Sequence, residues 1–341
     1  GSLFAVPFDP GRMEVTGPSF AVETGVWVSD WGCEAHYAVS EAGTFAFARG
    51  SAFENSILSW IDRSGAELGQ IGDPVTLESP MLSPDGTRIV ANLASPENAD
   101  IYTIDTQSGR QTRITHSLRS EDNPVWSPDG RRLVYRLYGG VQDQSFEVMD
   151  IDGAGQPQVV YSGGQFWSKP SSWSSQGWLA FEEQHPDRSR DILALRLDGS
   201  EGVLTIAGTE FFEFQPRFSP DGDWIAYTSD ETGQSEVYVV PFPELDRRRQ
   251  ISSNGGSHPR WSQIGNEFFF YSSEGGGLFS TRYSTDDGVF RWDTPTRLLN
   301  TGVVGVSPDA QRFLINRSNP DAMIRKIHVV ENWFEVLKET E

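Results

Sequence analysis

The chain has 341 residues, with 37% hydrophobic and 12% aromatic side chains, 34 Gly and 20 Pro, a mixture that suits many short strands joined by tight turns. Its formal net charge of −21 argues against nucleic acid and anionic membrane as partners, because phosphate binding needs a basic face to displace counterions. A single cysteine, Cys33, allows no internal disulfide, no stretch approaches the roughly 18 apolar residues of a membrane span, and the opening GSLFAVPFDPGRMEV lacks the basic and apolar regions of a signal peptide.

In chain order, the first segment, GSLFAVPFDPGRMEVTGPSFAVETGV, matches GGLFSTRYSTDDGVFRWDTPTRLLNTGV from Gly276 onward, and both read as strands three and four of a repeating unit. Because the chain opens in mid-repeat, a longer native protein is expected. A twelve-residue segment then recurs: MLSPDGTRIVAN from Met81, VWSPDGRRLVYR from Val125, RFSPDGDWIAYT from Arg217 and GVSPDAQRFLIN from Gly305. Weaker copies begin at Ala38, Ser172 and Arg260. Aligned on their first serine they start at Ser40, Ser83, Ser127, Ser174, Ser219, Ser262 and Ser307, a period of about 45 residues.

Each unit reads as strand, Ser-Pro-Asp-Gly turn and strand, with Pro presetting one turn dihedral, Asp bonding backbone amides and Gly taking positive φ. A third strand opens with an acid, at Asp100, Glu147, Asp191 and Glu236, and a shorter fourth follows near Thr112–Thr115, Val159–Tyr161 and Gln250–Ser252. Four antiparallel strands per unit predict an all-β, seven-bladed β-propeller forming one domain over residues 1–341. The N-terminal strands are expected to pair with Val303–Arg317 and close the ring, leaving no free edge. Ile327–Val330 competes for the third-strand slot of that closing blade, and a short helix is expected at about 332–339.

No nucleophile elbow, P-loop, kinase signature or dinucleotide fingerprint is present, and His36, His116, His185, His258 and His328 are scattered without metal-ligand spacing. Asp85, Asp129, Asp221 and Asp309 recur at the same turn, so they are expected to satisfy turn amides rather than do chemistry. Trp126, Trp173 and Trp261, each just before a repeat serine, are expected to pack blade against blade. Position-specific chemistry is expected where the units differ, four residues before the repeat serine, at the mouth of a central channel. Those positions are His36, Ser79, Asn123, Gln215, His258 and Val303, with Lys169 as the equivalent in the fourth unit. Pro80, Pro124, Pro170, Pro216 and Pro259 follow five of them and are expected to hold the preceding residue extended. Such a set could grip a small anionic or polar ligand, or simply hold channel water.

At its Ser-Pro-Asp-Gly units the chain resembles the TolB-type, WD-repeat-like propellers of bacteria, over nearly its whole length. More narrowly, LFAVPFDPGRMEVTG, FSPDGDWIAYTSDETGQSEVYVVPFP, VGVSPDAQRFLINR and IHVVENWFEVLK resemble the propeller C-terminal to bacterial membrane-anchored serine/threonine kinases. The resemblance implies a non-catalytic sensor or scaffold, periplasmic or otherwise outside the cytoplasmic membrane, monomeric, with no cofactor and with a protein partner or small polar ligand. The alternative is a metal-dependent propeller hydrolase or lactonase with calcium in the channel. The predicted channel ring lacks a carboxylate for such a cation, unless Glu78 or Asp122 supplies one.

Overall fold

A computed structural model describes residues 2–24, 26, 36–48, 56–94, 99–140, 143–153, 155–162, 166–185, 190–272, 274–319 and 327–333. The chain divides into two compact units. Unit 1 comprises Gly1–Ser56, Pro74–Thr76 and Ser318–Glu341; unit 2 comprises Ile57–Asp73 and Leu77–Arg317.

Unit 2 is a succession of four-stranded antiparallel sheets. The first runs through Glu78–Leu82, Arg88–Ala94, Ala99–Asp105 and Gln111–Arg113; the second through Ser120–Trp126, Arg132–Gly140, Asp143–Asp150 and Gln158–Ser162. The third uses Ser168–Trp173, Trp178–Gln184, Arg190–Arg196 and Leu204–Ala207, and the fourth Glu213–Phe218, Trp224–Ser229, Glu236–Pro241 and Arg249–Gln250. The fifth holds Ser257–Trp261, Glu267–Ser272, Gly277–Ser284 and Arg291–Trp292, with Thr296–Leu299 also paired to its third strand. The sixth is assembled from both ends of the unit, in the order Gly305–Val306, Arg312–Ser318, Ser56–Asp62 and Glu67–Gln70. The first strands of the first five sheets lie side by side in succession, and Gly305–Val306 lies against Glu78–Leu82.

The turn chemistry explains why each sheet starts alike. Ser83, Ser127 and Ser307 donate Oγ–H to the Asp two residues on at 2.6 Å, and Ser219 makes the same bond to Asp221. Each Asp accepts the N–H two residues further on, Thr87, Arg131, Asp223 or Gln311, at 3.0–3.1 Å. The serine Oγ also accepts the N–H of the residue opening the second strand, at 2.8–3.0 Å. These bonds hold the exposed carboxylates of Asp129 and Asp309 below the usual range, with the serine hydroxyl as the largest cause. The repeated aspartates therefore do what every turn needs.

Between sheets the packing is aromatic. Trp126 Nε1 donates to Met81 O of the first sheet at 3.1 Å, and Trp261 Nε1 to Arg217 O of the fourth at 2.9 Å. Trp173 packs on Val125, Val134 and Phe146 of the second sheet. Burying each such side chain contributes about 2–3 kcal/mol.

Unit 1 has its own strands. Ser2–Ala5 pairs with Phe20–Thr24, Phe8–Asp9 with Glu14–Val15, and Phe45–Ala48 lies between Tyr37–Val39 and Ile327–Val330. Phe45 stacks on Trp333 with ring centroids 4.4 Å apart.

Among the described residues five sheets are four-stranded and the fifth in order is five-stranded, while the Ser40 copy belongs to a three-stranded sheet with Ile327–Val330. One expectation is corrected. The C-terminal hairpin pairs with Ser56–Asp62, not with the N-terminal strands. The physical reason is burial: a third strand is covered on both faces, and Ser56–Asp62 offers Ile57, Leu58, Trp60 and Ile61, all buried, whereas Phe4 of Ser2–Ala5 is 60% exposed. The helix expected at 332–339 falls mostly outside the described residues.

Gly130 sits at φ 67°, a conformation that strongly disfavours a β-branched residue. Gly130→Val is expected to lower unfolding free energy by about 2 kcal/mol in urea denaturation; a loss under about 0.5 kcal/mol would mean that the turn does not impose this backbone.

Candidate functional site

Ser79, Asn123, Gln215 and His258, predicted at the starts of the inner strands, occupy one geometric position in the first, second, fourth and fifth sheets. All four take positive φ, at 50°, 50°, 58° and 55°. At each, the register to the second strand slips, between Val90 and Asn92, Asp122 and Val125, Phe214 and Arg217, and Ser257 and Arg260. These are β-bulges, in which an extra residue turns the strand and re-aims its side chain. The expectation that the following proline holds these residues extended is therefore overturned for these four: the bulge dictates the backbone. Lys169 stays in register opposite Glu182, and in that sheet the slip comes one step later, between Pro170 and Ser172.

The predicted residues are joined from sheet to sheet. Ser79 Oγ donates to Asn123 Oδ1 at 3.1 Å, and Asn123 Nδ2 donates to Asp122 at 2.8 Å. Gln215 Oε1 accepts the His258 N–H at 2.8 Å, while the Gln215 N–H donates to Glu182 Oε1 at 3.0 Å. Lys169 Nζ stands 3.7 Å from that same Glu182 oxygen. Val303, before the sixth sheet, accepts Arg260 NH2 through its carbonyl at 3.3 Å. His36 belongs to unit 1, where its carbonyl accepts the Ala48 N–H at 3.0 Å.

Sequence reasoning missed the charges behind this rim. Glu182 is 1% exposed and accepts from Arg190 NH1 at 3.0 Å and Ser171 Oγ at 3.1 Å. Burial works against its charge, but Lys169 and Arg190 outweigh it and hold its pKa below the ordinary value. Arg217 and Arg260, two residues before the repeat serines of the fourth and fifth sheets, are also crowded by protein. Burial, then Arg217, brings Arg260 down to about 9, which leaves it charged at neutral pH. Burial lowers Arg217 and Lys169 as well. His258 is open to water yet hemmed in by these groups: burial, then Arg260, Arg217 and Lys169, depresses it to about 4. It is a neutral imidazole at physiological pH, with Nδ1 3.0 Å from Ser257 Oγ. The signal available in the sequence was a charged residue inside a strand that is apolar in other units, Arg217 and Arg260 standing where Met81 and Val125 stand elsewhere.

All six sheets of unit 2 line a cavity of about 180 Å³, with Met81, Trp126, Trp173, Arg217, Arg260 and Gly305 on its wall. The two carboxylates held in reserve for a cation are engaged: Arg136 grips Asp122 at 2.8 and 2.5 Å, and Glu78 accepts from Asn92 at 3.1 Å. Among the described residues, no three His, Cys, Asp or Glu side chains converge as metal ligands. No helix of the described residues is long and apolar enough to cross a membrane.

Residues 73–205, which include the first three sheets almost entirely, match the family described as the TolB beta propeller domain, so the resemblance read from the Ser-Pro-Asp-Gly turns holds. An uncharacterized protein of Agrobacterium fabrum is 30% identical over 153 residues, 42% of this chain and 52% of that one. The Tol-Pal system protein TolB of Francisella tularensis subsp. mediasiatica is 23% identical over 225 residues, 65% of this chain and 51% of its own length. The chain thus spans about half the length of these curated relatives. Among solved structures, a protein assigned as a TolB from Agrobacterium tumefaciens superposes with a TM-score of 0.60 at 19% identity, covering 78% of this chain and 99% of that one. TolB from Acinetobacter baumannii gives 0.52 at 18% identity, covering 73% and 65%. At these identities the structural likeness establishes the fold alone.

A depressed histidine pKa means that the folded state favours neutral imidazole, so this contribution to stability is present above about 6.5 and is lost as pH falls through about 4. NMR titration of the His258 ring should give a midpoint near 4, and Arg260→Gln should move it upward. A midpoint near 6.5 in the unsubstituted protein would contradict the crowded cationic surroundings described above.

Proposed function

We propose that this chain is a non-catalytic binding module, built in unit 2 as a six-bladed propeller, whose central cavity and rim hold a small polar ligand or part of a protein partner. The observation that carries this reading is a division of labour among the polar groups. Those that repeat, the Ser–Asp turns, are consumed in holding hairpins. Those that differ from blade to blade, Ser79, Asn123, Lys169, Gln215 and His258, sit at the start of the inner strands, with Ser79 bonded to Asn123, Gln215 to His258, and Lys169 and Gln215 meeting at Glu182.

The relatives support a protein partner: the TolB of Francisella is named for a system of several proteins. By the same likeness we place the chain outside the cytoplasmic membrane; that it is a monomer is a separate proposal. The metal-dependent hydrolase or lactonase is the weaker alternative, since Glu182 and Asp122 are each committed to cations and so make poor ligands for calcium.

Thermal unfolding of the purified chain with calcium, manganese and a panel of small polar metabolites, with and without chelator, tests the reading alongside ester and lactone turnover assays. A ligand at 100 Kd adds about 2.7 kcal/mol of stability. We expect stabilisation that chelator does not abolish and no turnover above buffer; chelator-sensitive turnover would replace this reading with the enzyme.

A further inference from the structure

We infer that the cavity of unit 2 is a binding site for the carboxylate of a small acid or a chain terminus, gripped by Arg217 and Arg260. This rests on the binding-module reading above and names its ligand class.

The two guanidiniums project from equivalent positions of neighbouring sheets into the same cavity. Arg217 spends NH1 on the carbonyls of Ser171, at 2.5 Å, and Pro216, at 2.9 Å. Arg260 spends NH2 on Val303 O at 3.3 Å. Among the described residues, the remaining donors of both, Nε and NH2 of Arg217 and Nε and NH1 of Arg260, have no hydrogen-bond acceptor, and no carboxylate lies within 4 Å of either group. Other partly buried arginines of the unit are matched, Arg136 by Asp122 at 2.5 Å, Arg190 by Glu182 at 3.0 Å and Arg63 by Glu267 at 2.8 Å. Two like charges facing one cavity repel each other unless an anion joins them.

The local balance points the same way. In a chain of net charge −21, Lys169, Arg190 and Arg217 act on the carboxylate of Glu182, and Arg260 stands beside Arg217 and His258. An anion entering the cavity meets Arg217 and Arg260 on its wall and no carboxylate among the described residues that line it, and a planar carboxylate matches the fork of a guanidinium. The indoles of Trp126, Trp173 and Trp261, with Met81, provide apolar wall for the body of the ligand. A volume of about 180 Å³ leaves room for a short diacid or the last residue of a peptide.

The test is isothermal titration calorimetry on the whole chain at low salt with succinate, inorganic phosphate, N-acetyl-triglycine and its C-terminal amide. One-site, saturable binding of a carboxylate is expected, weakened about tenfold or more by Arg260→Gln and by Arg217→Gln, with Arg260→Lys recovering part of the loss because it restores charge without the fork. Circular dichroism and unliganded melting temperature confirm that the variants fold. Tighter binding of the free-acid peptide than of succinate, with no binding of the amide, assigns the carboxylate to a chain terminus; the reverse order assigns it to a free small acid. No saturable heat with any carboxylate, undiminished binding in Arg260→Gln, or binding of phosphate alone would overturn the inference. The binding-module reading falls separately, on metal-dependent turnover.

Discussion

A hydroxyl and a carboxylate two residues apart set the frame for unit 2. The Ser–Asp bond ties the hairpin turn, and the same serine accepts the amide that opens the next strand. Because this pair fixes the turn identically in sheet after sheet, distance from the serine along the chain becomes a spatial coordinate. One residue before it, Trp126 and Trp261 reach the neighbouring sheet. Two before it, Arg217 and Arg260 face the cavity. Four before it, Ser79, Asn123, Gln215 and His258 turn on a bulge. Rigid turns thus leave a few positions free to vary without endangering the sheets.

This coordinate is why much of the fold was legible in the residues alone. The Ser-Pro-Asp-Gly turns and the tryptophans carry a local physical cause and are found where expected, and Asp100, Asp191 and Glu236 stand at the start of third strands, whereas Glu147 falls mid-strand in Asp143–Asp150. The partner of the C-terminal hairpin was not legible, because two hairpins, Tyr37–Ala48 and Gly305–Ser318, carry the same pattern, and only burial of Ile57, Leu58, Trp60 and Ile61 favours one pairing. For the site, reasoning from variable rim positions found Lys169, Gln215 and His258, which do meet. It passed over Arg217 and Arg260, since a charge beside an apolar strand reads as a solvent-facing residue until the neighbouring sheets are seen around it. The positive φ before proline was hidden for a related reason, as a tertiary bulge overrode a local preference.

The electrostatics of the chain are divided by depth. Turn carboxylates such as Asp129 and Asp309 stay ionised at the surface, held so by serine hydroxyls and amides. Inside, Glu182 is outnumbered by Lys169, Arg190 and Arg217. Surface charges are screened beyond about 10 Å at ordinary salt, whereas burial together with the nearby Arg260, Arg217 and Lys169 pushes the His258 pKa down.

The sixth sheet joins segments about 250 residues apart, since Arg312–Ser318 lies beside Ser56–Asp62, and within unit 1 Ile327–Val330 clasps Phe45–Ala48. Closing a loop of that length costs about 5 kcal/mol of chain entropy, so this seam depends on the packing of sheets already formed. The mechanical corollary is a protected interior. A force applied between Ser56–Asp62 and Arg312–Ser318 loads that pairing first, and the five sheets between carry no tension until it has parted.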